Sequence, residues 1–278
     1  MPPAPVPTRA PRRRWAVLSA CLVATLAAWS QPSKALAVGT RTNVPPYEFL
    51  DARGDLNGFC VEVLSAVARQ QALDLAFQPM SNQEVWEAFD QRRVAIVSGA
   101  IHTEERTRTM DFSVPLATLP YGLLVRKEGP GIRSEQDLVG KEVLVLQRSH
   151  MASYAAARGL RTRGQVSYEA CLRALAAGEG TAALVPRYTW LHLAQQGGFG
   201  GLQEVPAEIY PHRVCFAVQK GDAALLARLN EGIFALKGSG ELDRIHDRHL
   251  GRLERSQLPL RTALQKLAWF LVPAFLVT

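Results

Sequence analysis

The sequence predicts an α/β fold. Three observations predict it. Short apolar runs of strand length alternate with amphipathic helical periods from Leu36 to about residue 251. Glycine, proline or a capping serine stands at most junctions between them. The chain has 278 residues, 47% hydrophobic and 21% charged, enough to bury a sizeable core.

The elements follow in order. Leu36 to Thr40 reads as a strand and leads into Pro45-Pro46-Tyr47-Glu48-Phe49. A turn follows at Arg53-Gly54-Asp55 and Gly58. Cys60, Val63, Leu64 and Val67 fall at i, i+3, i+4 and i+7, one apolar helix face. Ser81 with Glu84 makes a capping box for a helix through Trp86 and Phe89. Val94 to Val97 reads as a buried strand, and this block ends near Leu116 to Pro120. A second block opens with a strand at Tyr121 to Val125. Ser134 caps a short helix that stops at Gly140, Val143 to Leu146 is a strand, and Ser149 caps the next helix. Tyr168 to Ala177 is helical, and Thr181 to Val185 is a strand broken by Pro186. Arg213 to Val218 returns the chain to the first block. Leu225, Leu226, Leu229, Ile233 and Leu236 form a long amphipathic helix closed by Gly238 and Gly240. Alternation of this kind predicts mainly parallel sheets.

The termini read differently. Arg9, Arg12, Arg13 and Arg14 precede an apolar run from Trp15 to Trp29, the pattern of an export signal over residues 1–30. Ala28-Trp29-Ser30 and Ala35-Leu36-Ala37 both offer cleavage sites, and the first spares the strand at Leu36. An uncleaved anchor, a lipid on Cys21 and a twin-arginine signal are weaker alternatives. Without those arginines the net charge of +7 falls to 7 − 4 = +3, and no basic run with interleaved aromatics remains. This argues against nucleic-acid binding. Beyond the signal stand Cys60, Cys171 and Cys215, an odd and widely spaced set that is no disulfide framework. Residues 252–278 form a tail whose last stretch, Leu267 to Thr278, is apolar; it reads as part of a transmembrane helix or as a helix packed on the domain.

The chemistry concentrates at Ser98-Gly99-Ala100-Ile101-His102-Thr103-Glu104-Glu105-Arg106, followed by Asp111-Phe112-Ser113. A strand, a tight glycine turn and a helix start capped by Thr103 point backbone N–H groups at one spot, with Arg106 one turn on. That is a seat for a carboxylate or another anion. His102 and His150 have no cysteine or carboxylate at ligand spacing, so no metal and no cofactor is expected. No nucleophile–base pair is evident. Glu48 and Glu62 are the only candidates for acid–base work, and the expectation is a binding protein rather than an enzyme.

These segments, taken in order, resemble the bacterial family 3 extracellular solute-binding proteins, the amino-acid-type Venus flytrap modules. Pro45 to Phe49, Gly58 to Glu62, Ser98 to Arg106 with Asp111 to Ser113, and Asp137-Leu138-Val139-Gly140-Lys141 carry the resemblance, along with Lys220-Gly221-Asp222 and Ile245 to Gly251. It implies a two-lobe fold of the type II periplasmic-binding-protein kind, closing on a small solute about a two-strand hinge. Lobe 1 would be residues 36–116 plus 214–251 and lobe 2 residues 117–213, with hinges near Leu116–Pro120 and Tyr210–Val214.

The departures from the family pattern shape the expected ligand. The family's threonine two residues after the glycine is Ile101. The acid at the end of strand one aligns with Arg41, and the lobe-two aspartate with Pro186, followed by Arg187. Ring-stacking positions align with Val44 and Asn82, and the Gly-Ser-Thr loop reads Arg148-Ser149-His150. The expected binding set is therefore Arg106, Gly99, Ile101, Arg41, Tyr47, Ser149, Arg148 and Arg187. Arg106 would be the clamp, and Arg41, Arg148 and Arg187 secondary partners. An ammonium among these arginines would be repelled, so the expected solute is a small anion or carboxylate. An amino acid and an empty cleft stay open. The expected setting is periplasmic, as a membrane-anchored sensor ectodomain next to a signalling module, or as the binding protein of an ABC permease.

Overall fold

A computed structural model of the protein describes residues 35–129, 131–205, 209 and 211–255. The expected signal peptide and the apolar stretch from Leu267 lie outside the described residues. Within them, no helix is long and apolar enough to cross a membrane.

The first half of the chain contributes β1 (Leu36–Arg41), β2 (Asn43–Val44), β3 (Glu48–Leu50), β4 (Leu56–Asn57), α1 (Phe59–Gln71), β5 (Leu75–Met80), α2 (Asn82–Asp90), β6 (Ile96–Ile101), β7 (Met110–Phe112) and β8 (Ala117–Leu119). The second sheet is built from β9 (Tyr121–Arg126), β10 (Glu142–Leu146), β11 (Arg161–Gln165), β12 (Ala182–Pro186) and β13 (Leu202–Val205). Its helices are α3 (His150–Ala157), α4 (Tyr168–Ala176) and α5 (Arg187–Gln195). The chain then returns through β14 (His212–Gln219) to α6 (Ala223–Gly238) and α7 (Glu241–His246).

The first sheet runs β5-β1-β6-β14-β7, with β8 also paired to β14. Its β5-β1-β6 part is parallel, and the long return strand β14 is antiparallel to β6, β7 and β8. The second sheet runs β11-β10-β12-β9-β13, parallel over β11-β10-β12 and antiparallel on both sides of β9. The sheets are thus mixed, because each receives a strand from the chain's passage between them. That passage falls at Pro120 and between Val205 and His212. β8 belongs to the first sheet through His212↔Leu119 and Val214↔Ala117, so the change of sheet comes at Pro120 rather than after Leu116.

Two motifs explain how this frame is held. The register between β14 and β6 shifts between Cys215 and Ala217, and the displaced Phe216 N–H donates to Ser113 Oγ at 2.9 Å. Asp111 accepts from Lys220 Nζ at 2.6 Å and from the Gly221 N–H at 2.8 Å. The Asp111-Phe112-Ser113 motif is therefore architectural: it satisfies a bulge and a turn that have no ladder partners. The capping box at Ser81 forms as expected, with Glu84 N–H to Ser81 Oγ at 3.2 Å and Ser81 N–H to Glu84 Oε2 at 2.8 Å. Helix α1 buries Phe59, Val63, Leu64 and Val67. It lies so close to α6 that a Cβ on Gly232 would come within 2.6 Å of Val67 Cγ1, so only glycine permits this crossing.

Candidate functional site

The site lies at the carboxyl ends of β1 and β6, where open α/β sheets place their ligands. Arg41, the last residue of β1, is 6% exposed, and Glu48 is 1% exposed. Arg41 Nη1 donates to Glu48 Oε2 at 3.0 Å and to the Gly99 carbonyl at 3.1 Å, and Arg41 Nε donates to Asn82 Oδ1 at 2.7 Å. Glu48 also accepts from the Arg41 N–H at 3.1 Å and from Ser98 Oγ at 2.7 Å. This is a satisfied internal ion pair. Arg41 was expected as a secondary anion partner; its charge is instead matched by Glu48. Gly99 was expected in a tight turn. The strand continues through it to Ile101, because Ala100 and Ile101 pair with Cys215 and Val214. Glycine is required there for another reason: a Cβ would overlap Glu48 Oε1.

Arg106 is different. Thr103 Oγ1 accepts from its backbone N–H at 3.3 Å, and its Nη1 donates to the Ile101 carbonyl at 3.3 Å. The guanidinium lies 4.3 Å from the Trp86 ring centre, and Arg41 lies 5.3 Å from the same ring. Among the described residues no carboxylate is ion-paired to Arg106. Burial first, and then the charge of Arg41, push its pKa down to about 10. A half-buried cation without a counter-ion can pair with an anion that enters the cleft.

The opposite wall comes from the start of α3. Ser149 Oγ caps that helix by accepting from the Ala152 N–H at 3.3 Å. His150 is 7% exposed, and its Nε2 has no hydrogen-bond partner. Arg148, which aligns with a glycine of the family pattern, has a left-handed backbone, φ 53°. Such a conformation costs a non-glycine residue about 1–2 kcal/mol. Its guanidinium reaches back across to α2, with Asp90 Oδ2 at 3.1 Å and Glu87 Oε1 at 3.7 Å. Beside it, Asn82 Nδ2 donates to the Gln147 carbonyl at 2.8 Å and Gln147 Nε2 to Gln83 Oε1 at 3.2 Å. Asn82 thus ties Arg41 to the facing wall.

Two connected spaces result. An inner cavity of about 40 Å³ is lined by Arg41, Gly99, Ile101, Arg106 and Ser149, with Trp86, Tyr121 and Tyr168 closing it. It has room for about one water or a few small atoms. An outer cavity of about 600 Å³ shares Trp86, Arg106, Ser149 and His150 and adds Arg148, His212, Asp90 and Glu105. Of the expected residues, Tyr47 and Arg187 line neither space. Tyr47 is buried in the core with an unpartnered hydroxyl, and burial raises its pKa well above the usual value. Arg187 Nε lies 3.1 Å from Glu204 Oε2. Both acid candidates are likewise engaged. Glu48 pairs with Arg41, and Glu62 binds Arg248 and His249, linking α1 to the segment after α7. His102 sits elsewhere, 3.1 Å from Arg213. Trp86, Tyr121, Tyr168 and His212 belong to the site without having been singled out.

The model of the bacterial extracellular solute-binding proteins, family 3, matches residues 36–252. The chain belongs to that family. An L-arginine-binding protein of Pseudomonas aeruginosa is 27% identical over 228 residues, covering 78% of this chain and 88% of that protein. The L-cystine-binding protein TcyJ of Escherichia coli is 25% identical over 221 residues, covering 78% and 82%. Among solved structures, a histidine kinase sensor domain with similarity to periplasmic binding proteins superposes with a TM-score of 0.75. It is 30% identical and covers 78% of this chain and 96% of that one. An ancestral arginine-binding protein bound to glutamine gives a TM-score of 0.73 at 27% identity, covering 80% and 100%. The two-lobe α/β fold of this family-3 chain is that of periplasmic binding proteins, and the two sequence relatives are named as binding proteins.

Proposed function

We propose that this family-3 chain is a periplasmic cleft module that closes on a small carboxylate-bearing or anionic solute without an amine. In this reading it serves as the ectodomain of a membrane-anchored sensor. In this reading the two sheets are the cores of the two lobes, and the hinge lies at the crossings near Pro120 and before His212. The observation that carries the reading is Arg106: a half-buried guanidinium, stacked on Trp86, with no carboxylate partner among the described residues. Among the described residues the inner cavity offers an ammonium no unpaired carboxylate, because Glu48 beneath it is neutralised by Arg41. The sensor role is supported by the likeness to the histidine kinase sensor domain.

A second reading, the soluble binding protein of an amino-acid ABC transporter, is favoured by the names of the sequence relatives. It also draws on Asp90 and Glu105 in the outer cavity, which could face an amine. Thermal-shift and calorimetric titration of the purified protein with acetate, oxalate and malonate against arginine, histidine, glutamine and cystine separates the two. The proposal expects stabilisation by the simple acids that is lost in Arg106→Gln. Stabilisation by amino acids but not by the simple acids overturns it. The reading frame after Thr278 tests the role: a signalling module there supports a sensor, and permease genes alongside support transport.

A further inference from the structure

We propose that the imidazoles of His150 and His212 form a second, proton-accepting arm of the Arg106 site, so that the cleft captures a small dianionic oxyacid together with a proton. The inference rests on the anion reading of the same cleft. The rings come from distant parts of the chain. His150 opens α3, and His212 opens β14 where the chain re-enters the first sheet. Their centroids are 4.4 Å apart at 74°, and Tyr121 packs edge-on against both, at 5.1 and 5.8 Å. Each ring has a buried Nε2 with no hydrogen-bond partner. Both rings line the outer cavity together with Arg106. Buried polar atoms are almost always satisfied, so two orphaned ring nitrogens beside an unpaired guanidinium mark a place where something binds.

The surrounding charges set the sign. Around His150 stand Arg41, Arg106, His212 and the Tyr121–Tyr168 hydroxyl pair, whose oxygens are 3.1 Å apart. On its own helix, Tyr154 is bonded to Glu135. Beside His212, Arg213 on the same strand is turned to His102. Asp90 and Glu105 line only the outer space, and Asp90 is paired with Arg148. Burial first, then His212, Arg106 and Arg41, hold His150 well below its usual pKa, and burial lowers His212 as well. Without solute, burial and the neighbouring cations thus favour the neutral form of both rings. An anion seated at Arg106 replaces repulsion by attraction, so an imidazole beside it gains a proton and donates to the second acidic oxygen. A metal-first reading has only these two imidazoles, since no group of three metal-ligating side chains exists among the described residues.

The test is calorimetry of the whole protein with sulfate and with oxalate, neither of which changes charge across the range, at pH of about 6 and about 8, in buffers of different ionisation heat. The expected result is uptake of a proton on binding and an affinity that rises by up to about tenfold for each pH unit of acidification. The His150→Gln/His212→Gln variant binds more weakly at the acid end, and its affinity no longer changes with pH. In the unaltered protein, the histidine ring resonances shift to a higher titration midpoint when oxalate is added. Binding that is lost in Arg106→Gln but takes up no proton overturns this inference and leaves the anion reading standing. A variant that keeps the pH slope overturns it as well. Binding of neither anion overturns both.

Discussion

Replacing Glu48 by glutamine tests whether the base of the cleft is an internal ion pair. The substitution preserves shape and removes charge. In the parent, one carboxylate accepts from the Arg41 N–H, Arg41 Nη1 and Ser98 Oγ at 3.1, 3.0 and 2.7 Å. The pair is almost wholly dry, with side-chain exposures of 7% and 2%. In Glu48→Gln, Arg41 stays buried without a counter-ion, and the new amide turns either a donor toward Arg41 or a donor toward the Ser98 hydroxyl. Breaking a buried pair from one side costs about 3–5 kcal/mol. At about 2–4 °C per kcal/mol for a domain of this size, the melting temperature falls by roughly 6–20 °C.

The assay is denaturant and thermal unfolding of the parent, Glu48→Gln, Arg41→Met and the double variant. Each single change leaves an orphan, a cation in one case and a carboxylate in the other. The double change leaves none, so its loss is smaller than the sum of the two. A Glu48→Gln protein within about 1 kcal/mol of the parent refutes the reasoning, as does a double variant that is simply additive. The same variant has a functional consequence. With its partner gone, Arg41 becomes a second unmatched cation beside Arg106, and oxalate binds more tightly, by up to about fivefold if one weak ion pair is gained.

Four further outcomes are expected. Gly99→Ala pushes a methyl into Glu48 and costs about 1–3 kcal/mol in chemical denaturation. Arg106→Gln abolishes anion-dependent stabilisation but leaves the solute-free melting temperature equal or higher, because it removes a desolvated cation lying next to Arg41. Arg148→Gly relieves the left-handed strain and cuts the ion pairs to Glu87 and Asp90; stability stays within about 1 kcal/mol, while small-angle scattering reports a larger radius of gyration. Without solute, stability falls as the pH drops below about 6.5, because the unfolded chain takes up protons that folded His150 and His212 refuse; His150→Gln flattens that limb.

What the sequence revealed divides by range. The Ser81 capping box, the apolar face of α1 and the strands read from Leu36, Tyr121, Val143 and Thr181 rest on local periodicity and local hydrogen bonds. Each is found within a residue of where it was read, except that Pro186 ends the last strand instead of breaking it. β5 was missed because Pro79 interrupts it; proline is tolerated there because β5 is the edge of its sheet. Gly99 looked like a turn because the partners that extend β6, Val214 and Cys215, lie more than a hundred residues away. The role of Arg41 was hidden for a related reason. Read alone, an arginine in place of an acid signals an anion site. Read with Glu48 in the Pro46-Tyr47-Glu48-Phe49 segment, it is a charge pair, but only the fold brings the two to 3.0 Å. His212 carried no signal at all, since it gains meaning only where β14 passes His150.

The pair also changes what closure can mean in this chain. A solute shifts a two-state cleft only by the contacts it gains in the closed form. Here the two walls of the cleft are already joined by the protein itself: Asn82 joins Arg41 to the Gln147 carbonyl, Gln83 meets Gln147, and Arg148 meets Asp90. The deep space between Arg41 and Pro186 is about 40 Å³ and adjoins the outer cavity of about 600 Å³. What remains unmatched around the two spaces is the charge of Arg106 and the free ring nitrogens of His150 and His212. A ligand that supplies negative charge to those groups adds to a closure that is already partly stabilised from within. A ligand that supplies a bulky side chain must first undo the Asn82 bridge. On the proposed anion reading, selectivity for small acids rests on these internal contacts as much as on the site itself.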